Sequence, residues 1–364
     1  MIKKTIVTGM VALMSLAAMA LPAKRGLTNV ITLNDGTKVE VSLVGDEFMH
    51  YWQDAYGNKY VPTGEANVFK LADASAVSNL TTRALARKAH VTARRSARLK
   101  SNNSTDVFKG KKKGLVILVE FTDVKFKNSD SQTLFNRISN EEGYNEGYFQ
   151  GSVKDYFLAQ SRGQFELDFD VVGPVKLAHN MKYYGGNDSN GYDLHPEEMI
   201  VEACKGIDSK VDFSKYDWDG DGEVDQVYVI YAGYGEADSG KENTIWPHEW
   251  QLSGASQSMI LDGVKVDTYA CSSELNGAGE IGGIGTMCHE FSHCMGIPDM
   301  YDTGYSGNFG MGPFDLMDYG AYNEDGYKPC GYTAYERMIS GWIDPIEVRK
   351  GAELSVTGMK ALTE

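Results

Sequence analysis

The sequence is short of three things: cysteine, basic charge, and long apolar runs beyond its first residues. The formal net charge of −15 argues against nucleic acid as a partner, because phosphate binding needs lysine and arginine clustered on a folded face. After the N-terminus no stretch reaches the roughly 20 apolar residues that a membrane span needs. The five cysteines are an odd number, which excludes full disulfide pairing in a monomer; buried free thiols and bridges both remain open.

What the sequence does contain is ordinary globular composition, 42% hydrophobic and 23% charged, enough for a sizeable core. Its first residues combine Lys3 and Lys4, an apolar stretch over 6–16, and small residues at Ala18 and Ala20. This pattern is typical of a secretory signal peptide, and the apolar stretch is too short for a membrane anchor. We therefore expect export and cleavage.

Two regions of different composition follow the signal pattern. Alternating apolar residues broken by turn residues at 34–36 and 56–58 predict β-hairpins and a small β-rich domain. From Arg83 to Lys113 basic residues are frequent and Asp106 is the one acidic residue. This contrast favours a linker that proteases can reach over the alternative, a solvated basic helix.

A second domain begins near Gly114 with GLVILVEFTD, an apolar and β-branched run typical of a buried strand. Ser152 is a candidate N-cap and Gly163 a candidate stop for the next helix. Strands and helices then alternate, which predicts an α/β or α+β domain. The predicted division is a signal peptide over 1–20, a β-rich pro-domain over 21–82, a basic processing linker over 83–112, a catalytic domain over 113–346 and the start of a C-terminal β segment, truncated or complete, over 347–364.

The segment MCHEFSHCMGIPD carries the most specific chemical pattern. His289 and His293 are four residues apart, so on a helix both imidazoles share one face and reach one metal ion. Imidazole is a good zinc ligand, and Glu290 projects beside such a metal, where a general base acts on zinc-bound water. A surface helix with this pattern by chance is the alternative. Gly296 and Pro298 weaken it, because they end the helix and turn the chain back.

Asp299 is the candidate third ligand of this zinc site. It follows His289 by ten residues, the offset of the third histidine in the longer pattern H-E-x-x-H-x-x-G-x-x-H. Two alternatives remain open at this point: Asp299 could orient an imidazole instead, and Asp302 is close enough in sequence to replace it.

HEFSHCMGIPD resembles the signature H-E-x-x-H-x-x-G-x-P-D of the M6 peptidases, the bacterial immune inhibitor A-like family. GLVILVEFTDVKF, GSVKDYFLAQSRGQF, IWPHEW and KPCGYTAYERMISGW are similar to further landmarks of that family. The resemblance implies an α+β, zincin or metzincin-like catalytic domain with a mixed sheet and an active-site helix. It also implies a secreted zinc endopeptidase made as a zymogen, with His289, His293 and Asp299 as ligands and Glu290 as base.

The segment GMGPFDLMDYG resembles the metzincin Met-turn, which implies that Met317 lies beneath the zinc site. A core methionine in a tight loop is the overlapping alternative. Tyr319, two residues later, has the spacing at which some metzincins place a tyrosine that reaches the metal or the oxyanion, so it is a second candidate catalytic residue.

The acidic loop DWDGDGEVD has alternating carboxylates of the kind that converge on calcium. Gly222 at loop position 6 allows the sharp turn, whereas position 12 is Tyr228 and not the usual glutamate. A solvated acidic turn is the alternative. The predicted ligands of a structural calcium ion are Asp217, Asp219, Asp221, Glu223 through its carbonyl, and Asp225.

The predicted function is hydrolysis of peptide bonds by a secreted, monomeric zinc endopeptidase, with proteins or peptides as its partners and zinc-activated water as nucleophile. The alternative is a catalytically silent, calcium-stabilised binding or adhesion protein, against which the intact Glu290 argues. His248 in IWPHEW is expected to be a packed residue. No cysteine precedes Cys204, so the N-terminal region cannot block zinc with a thiolate.

Overall fold

A small β-barrel, a long helix and a five-stranded sheet covered by helices make up the described part of this α+β chain. The structure is a computed structural model. The predicted signal peptide and the predicted C-terminal segment lie outside the described residues. The described residues are 21–346 except 64, 66 and 189, with the side chains of 102–105 also left out.

The N-terminal barrel confirms the predicted β-rich region. Neighbouring strands pair antiparallel from β1 to β5, and a parallel pairing of β1 with β5 closes the barrel. Alternate side chains such as Ile31, Val41 and Trp52 point inward, and Trp246 of the later domain packs against the same cluster. The strands are β1 Thr28–Leu33, β2 Lys38–Asp46, β3 Met49–Gln53, β4 Lys59–Pro62 and β5 Val68–Leu71.

Helix α1, Ala74–Thr105, occupies most of the region for which the sequence favours a linker. Ala84, Lys88, Val91 and Arg95 recur at helical spacing and are all buried, so this face combines apolar and basic residues. Basic residues usually indicate an exposed face, which is why the burial of this helix could not be predicted from its composition. Proteolytic processing of this region stays a prediction.

The central sheet has the strand order β7-β6-β8-β12-β9, with β9 antiparallel to β12 and the other neighbours parallel. The buried strand predicted at Gly114 is part of β6. Its alternate residues belong to two cores: Val116 and Leu118 pack in one cluster, and Leu115 and Ile117 in the other. The strands are β6 Gly110–Glu120, β7 Phe165–Lys176, β8 Val227–Tyr234, β9 His248–Gln251 and β12 Thr268–Leu275, with a separate hairpin of β10 Met259–Leu261 and β11 Val264–Val266.

Helices cover both faces of this sheet. Ser152 caps α3 as predicted, in a reciprocal capping box with Asp155. Among the described residues no helix combines the length and apolar character that crossing a bilayer needs. The helices are α2 Ser131–Asn140, α3 Val153–Gln160, α4 Met181–Gly185, α5 Pro196–Ile207, α6 Glu236–Ser239, α7 Gly285–Cys294 and α8 Ala334–Ile339.

All five cysteines are free thiols, which settles the question of pairing that the sequence left open. Four are buried, and Cys330 is partly exposed. Burial raises the pKa of Cys288 and Cys294 well above the ordinary value, so these two thiols on α7 stay protonated.

His248 is a packed, hydrogen-bonded residue, as expected from the sequence. Its Nδ1 lies 2.7 Å from the carbonyl of Trp246, and its Nε2 lies 3.1 Å from the Tyr269 hydroxyl. Burial lowers the pKa of His248 from 6.5 to about 4, so the folded chain keeps the ring neutral while the unfolded chain protonates it.

This difference predicts that His248 destabilises the fold as pH falls from about 6.5 towards 4, since the unfolded state binds a proton first. Between pH 7 and 5 the loss is about 2 kcal/mol. Urea unfolding of the wild type and of His248→Gln at both pH values checks this. The variant should lose less stability by that amount, and equal losses in the two proteins would contradict the prediction.

Candidate metal centre and active site

Helix α7 places the HExxH residues inside the domain, where it packs against β12, β9 and α3. Its first residue, Gly285, has to be glycine, because a Cβ there would lie 1.9 Å from the Ala321 carbonyl oxygen. The helix ends at Cys294, and the predicted stop residue Gly296 follows its C-cap with a φ of 91°. His289, Glu290 and His293 are all 1% exposed or less, so the chance surface helix is excluded.

Three side-chain atoms converge at the buried face of α7. His289 Nε2 and His293 Nε2 are 3.1 Å apart, and Asp299 Oδ1 lies 3.2 Å from the first and 3.3 Å from the second. Tetrahedral zinc ligands at 2.0–2.1 Å from the metal are about 3.3 Å from one another. The three atoms therefore have the spacing of one face of a zinc tetrahedron.

The protonation of the two imidazoles also fits a metal. Each Nδ1 donates to a backbone carbonyl, His289 to Leu316 at 2.8 Å and His293 to Ile297 at 2.7 Å. Burial lowers the pKa of both rings, so each is neutral and its Nε2 carries a lone pair. Two lone pairs and a carboxylate that face one another at this distance need a cation between them.

Asp299 reaches this group from the loop after Gly296. Its Oδ1 faces the imidazoles, and its Oδ2 lies 3.5 Å from a guanidinium nitrogen of Arg95. Asp302 does not join the group, because its carboxylate accepts hydrogen bonds from Ser306 and from the amide of Asn308 in an exposed loop. The structure therefore favours Asp299 over Asp302.

Glu290 lies beside this group with its carboxylate buried. Its Oε1 accepts a hydrogen bond of 3.0 Å from the backbone nitrogen of Leu21. Burial raises the pKa of Glu290 to about 7, although the neighbouring His289 lowers it. A carboxyl group with a pKa near neutrality can both accept and return a proton.

Met317 and Tyr319 belong to the segment that resembles a Met-turn. The Leu316 carbonyl that holds His289 directly precedes Met317, which is fully buried in the same cluster as Phe291. The ring of Tyr319 packs against the guanidinium of Arg25, 3.8 Å from the ring centroid. A catalytic role for Tyr319 stays a prediction.

Two further residues lie next to the candidate metal site, and the HExxH motif gives no indication of either. Arg95 of α1 is buried and donates from Nε to Glu249 Oε2 at 2.8 Å while it faces Asp299. The helical spacing of Val91 and Arg95 is the signal that could have indicated its burial. Leu21 is the other residue, and its only signal is that it follows the predicted cleavage site.

The acidic loop brings only part of the predicted calcium site together. Carboxylate oxygens of Asp217, Asp219 and Asp225 lie within 4.8 Å of one another. Arg98 of α1 forms ion pairs with Asp219 and Asp225. The carboxylates of Asp217 and Asp221 accept hydrogen bonds from amides of their own loop. Calcium has no further support here and stays a prediction.

The buried group of His289, His293 and Asp299 could hold a metal ion. The immune inhibitor A peptidase M6 family, catalytic domain, matches residues 101–340, and the chain belongs to this family.

Two curated relatives show how far the sequence of this chain has diverged from other proteins that it resembles. Immune inhibitor A of Bacillus thuringiensis subsp. alesti is 29% identical over 289 residues, which are 65% of this chain and 42% of that protein. Pre-pro-metalloprotease PrtV of Vibrio cholerae serotype O1 (strain M66-2) is 23% identical over 271 residues, 62% of this chain and 29% of that protein. The chain thus spans less than half the length of either relative.

The geometry predicts that Asp299→Asn weakens zinc binding more than about 100-fold, since loss of a direct ligand exceeds the 10–100-fold effect of supporting groups. Asp302→Asn, in the same loop but outside the group, should bind zinc like the wild type. Zinc titration against a chelating dye measures both affinities. Full affinity in Asp299→Asn would remove Asp299 from the ligands.

Proposed function

We propose that the chain is a secreted zinc endopeptidase that hydrolyses peptide bonds of proteins, with Glu290 as general base. The observation that carries this proposal is the convergence of two imidazole lone pairs and a carboxylate beside a second, buried carboxylate. Membership of the M6 family and the word metalloprotease in the name of one relative support it. The domain is, on this proposal, a zincin.

His289, His293 and Asp299 would hold the zinc ion. When bound, zinc supplies Lewis acidity that polarises the scissile carbonyl and lowers the pKa of water. The backbone carbonyls of Leu316 and Ile297 keep both imidazoles in the tautomer that presents Nε2.

Glu290 carries the proton transfers in this mechanism. Its carboxylate takes the proton of the attacking water and returns it to the leaving amine. The burial that raises the pKa of Glu290 to about 7 suits it to both steps near neutral pH. A silent binding protein has no use for such a group, so its presence favours turnover.

The region before the catalytic domain would act as a pro-region, which makes the exported chain a zymogen. Leu21 contacts Glu290, and Arg95 of α1 lies 3.5 Å from Asp299, so groups of this region meet the centre from two directions. The word pre-pro in the name of the Vibrio relative is consistent with this role. The pro-domain would span 21–82 and the processing linker 83–112.

Glu290→Gln should abolish proteolysis and leave zinc bound, because the amide cannot accept the proton but keeps the shape of the site. We expect activity on casein to fall by at least about 100-fold, within the usual range for loss of a general base. Glu280→Gln, an exposed carboxylate paired with Lys127, is the matched control and should retain activity. An active Glu290→Gln chain would refute the mechanism.

We also propose, from the loop spacing, that Asp217, Asp219 and Asp225 bind a structural calcium ion with the help of Asp221 and the Glu223 carbonyl. At a concentration 100 times its Kd, calcium would raise the free energy of unfolding by about 2.7 kcal/mol. Thermal unfolding with and without calcium, in the wild type and in Asp217→Asn, measures this. A calcium response that is absent, or that persists in the variant, would contradict the site.

A further inference from the structure

Two carboxyl groups that the proposed mechanism does not use, those of Asp315 and Glu336, are buried together in the catalytic domain. Both residues are 0% exposed, and their side chains are hydrogen-bonded to each other. Within the described part of the chain no other donor reaches Asp315 Oδ2 or Glu336 Oε1, so these are the oxygens that face each other. Two carboxylates have no hydrogen to donate, so one proton has to lie between them.

Glu336 is the member of this acid pair, Asp315 and Glu336, that carries the proton. Its Oε2 accepts hydrogen bonds from the amide and the hydroxyl of Thr333, at 2.5 and 2.9 Å. Asp315 Oδ1 accepts a bond of 2.8 Å from the amide of Met317. Burial and the nearby Asp315 raise the pKa of Glu336 well above its ordinary value, so Glu336 stays protonated near neutral pH and donates to Asp315.

The titratable groups around the acid pair leave this proton in place. Besides burial, Asp318 raises the pKa of Asp315, and His289 would lower it only if the ring were protonated. Arg337 is a basic neighbour, but its Nη2 donates to Gln160 Oε1 at 2.8 Å. Burial raises the pKa of the other neighbours, which therefore stay neutral: Tyr156, Tyr332 and Cys330.

The segment 315–317, which begins at the acid pair, contacts both parts of the metal-binding group. Its Leu316 carbonyl accepts the 2.8 Å hydrogen bond from His289 Nδ1. The carbonyl of the next residue accepts a bond of 2.8 Å from the amide of Met300, which directly follows Asp299. The position of this short segment therefore affects the ligand helix and the ligand loop together.

Glu336 lies on α8, and α8 is fixed to the ligand helix α7. The Tyr332 hydroxyl, just before α8, is hydrogen-bonded to the hydroxyl of Ser292 on α7. Thr333 begins α8 with a reciprocal capping box that includes Glu336. Because α8 is anchored in this way, the hydrogen bond from Glu336 to Asp315 fixes the segment after Asp315 relative to the ligand helix.

We propose that Asp315 and Glu336 are positioning residues of the metal centre: their shared proton holds the Leu316 carbonyl against His289, and loss of the proton weakens metal binding. Without the proton two buried carboxylates would repel each other in a part of the domain where water does not screen them. The segment 315–317 would then move away from α8. The proposal rests on the proposed zinc site and identifies what positions its ligands.

Unfolding of the metal-free chain tests the shared proton without metal or turnover. Glu336→Gln keeps the shape of the side chain and donates an amide N–H to Asp315, but it has no proton to lose. Above about pH 6 an unfolded glutamate is ionised while folded Glu336 keeps its proton, so only the wild type releases this proton on unfolding. The stabilisation is complete below the unfolded pKa and is lost as pH rises towards the folded pKa.

Urea unfolding between about pH 6 and pH 8 measures this difference. The unfolding equilibrium constant should rise up to about ten-fold more per pH unit in the wild type than in Glu336→Gln, because one more proton is released. Glu280→Gln, the same substitution at an exposed position, is the matched control and should follow the wild type.

Zinc affinity, from titration against a chelating dye, tests the positioning role. Glu336→Gln should bind zinc like the wild type near neutral pH. Glu336→Ala leaves Asp315 without its donor and should bind at least about ten-fold more weakly, the lower limit for groups that support metal ligands. Thr333→Val removes the hydroxyl cap of α8 but keeps the acid pair, so it should lower stability and leave zinc affinity unchanged.

If Glu336→Ala does not fold, zinc affinity is compared between the wild type and Glu336→Gln as the pH rises to about 9, and the wild type should lose affinity relative to the variant. Equal pH dependence of unfolding in these two proteins would overturn the shared proton. Wild-type affinity in folded Glu336→Ala would overturn the positioning role. A wild-type chain that binds no zinc would instead refute the proposed function, and the unfolding experiment would still decide whether the acid pair shares a proton.

Discussion

Mutual repulsion among three buried groups is the constraint on which the rest of the structure depends. Two imidazole lone pairs and a carboxylate oxygen held 3.1 to 3.3 Å apart are unfavourable together without a cation. Rigid surroundings hold them there: α7 packed on the sheet, the turn at Gly296 and the carbonyls of Leu316 and Ile297. The fold therefore holds these three atoms, in a buried part of the domain, at the spacing that a metal ion needs.

Charge complementarity between α1 and the catalytic domain is the second organising interaction. Arg95 lies between Glu249 and Asp299, and Arg98 pairs with Asp219 and Asp225. The basic helix thus meets buried or half-buried carboxylates of an otherwise acidic protein. Removing one partner of such an ion pair leaves the other as an uncompensated buried charge. The position of α1 and the charge of the candidate metal site therefore depend on each other.

The sequence predicted the site residues that are close together in the chain, and it missed the contacts between residues that are far apart in the chain. The HExxH pair and Asp299 lie within one helix and the turn after it, so spacing indicated that the two histidines meet and made Asp299 a candidate third ligand. The burial of α1 could not be read, because Lys88 and Arg95 are stabilised by Asp46 and Glu249, which lie far away in the chain. The same holds for Leu21 and Glu290, and the spacing of Tyr319 did not reveal its contact with Arg25.

Zinc K-edge absorption spectroscopy of the purified chain tests the central claim most directly, because it reports both the bound metal and its ligand atoms. The account predicts one zinc per chain with two imidazole nitrogens and a carboxylate oxygen at about 2.0–2.1 Å. The buried thiols of Cys288 and Cys294, on the same helix, should be absent from the ligand shell. A chain that takes up no zinc, or a zinc–sulfur distance of about 2.3 Å, would contradict it.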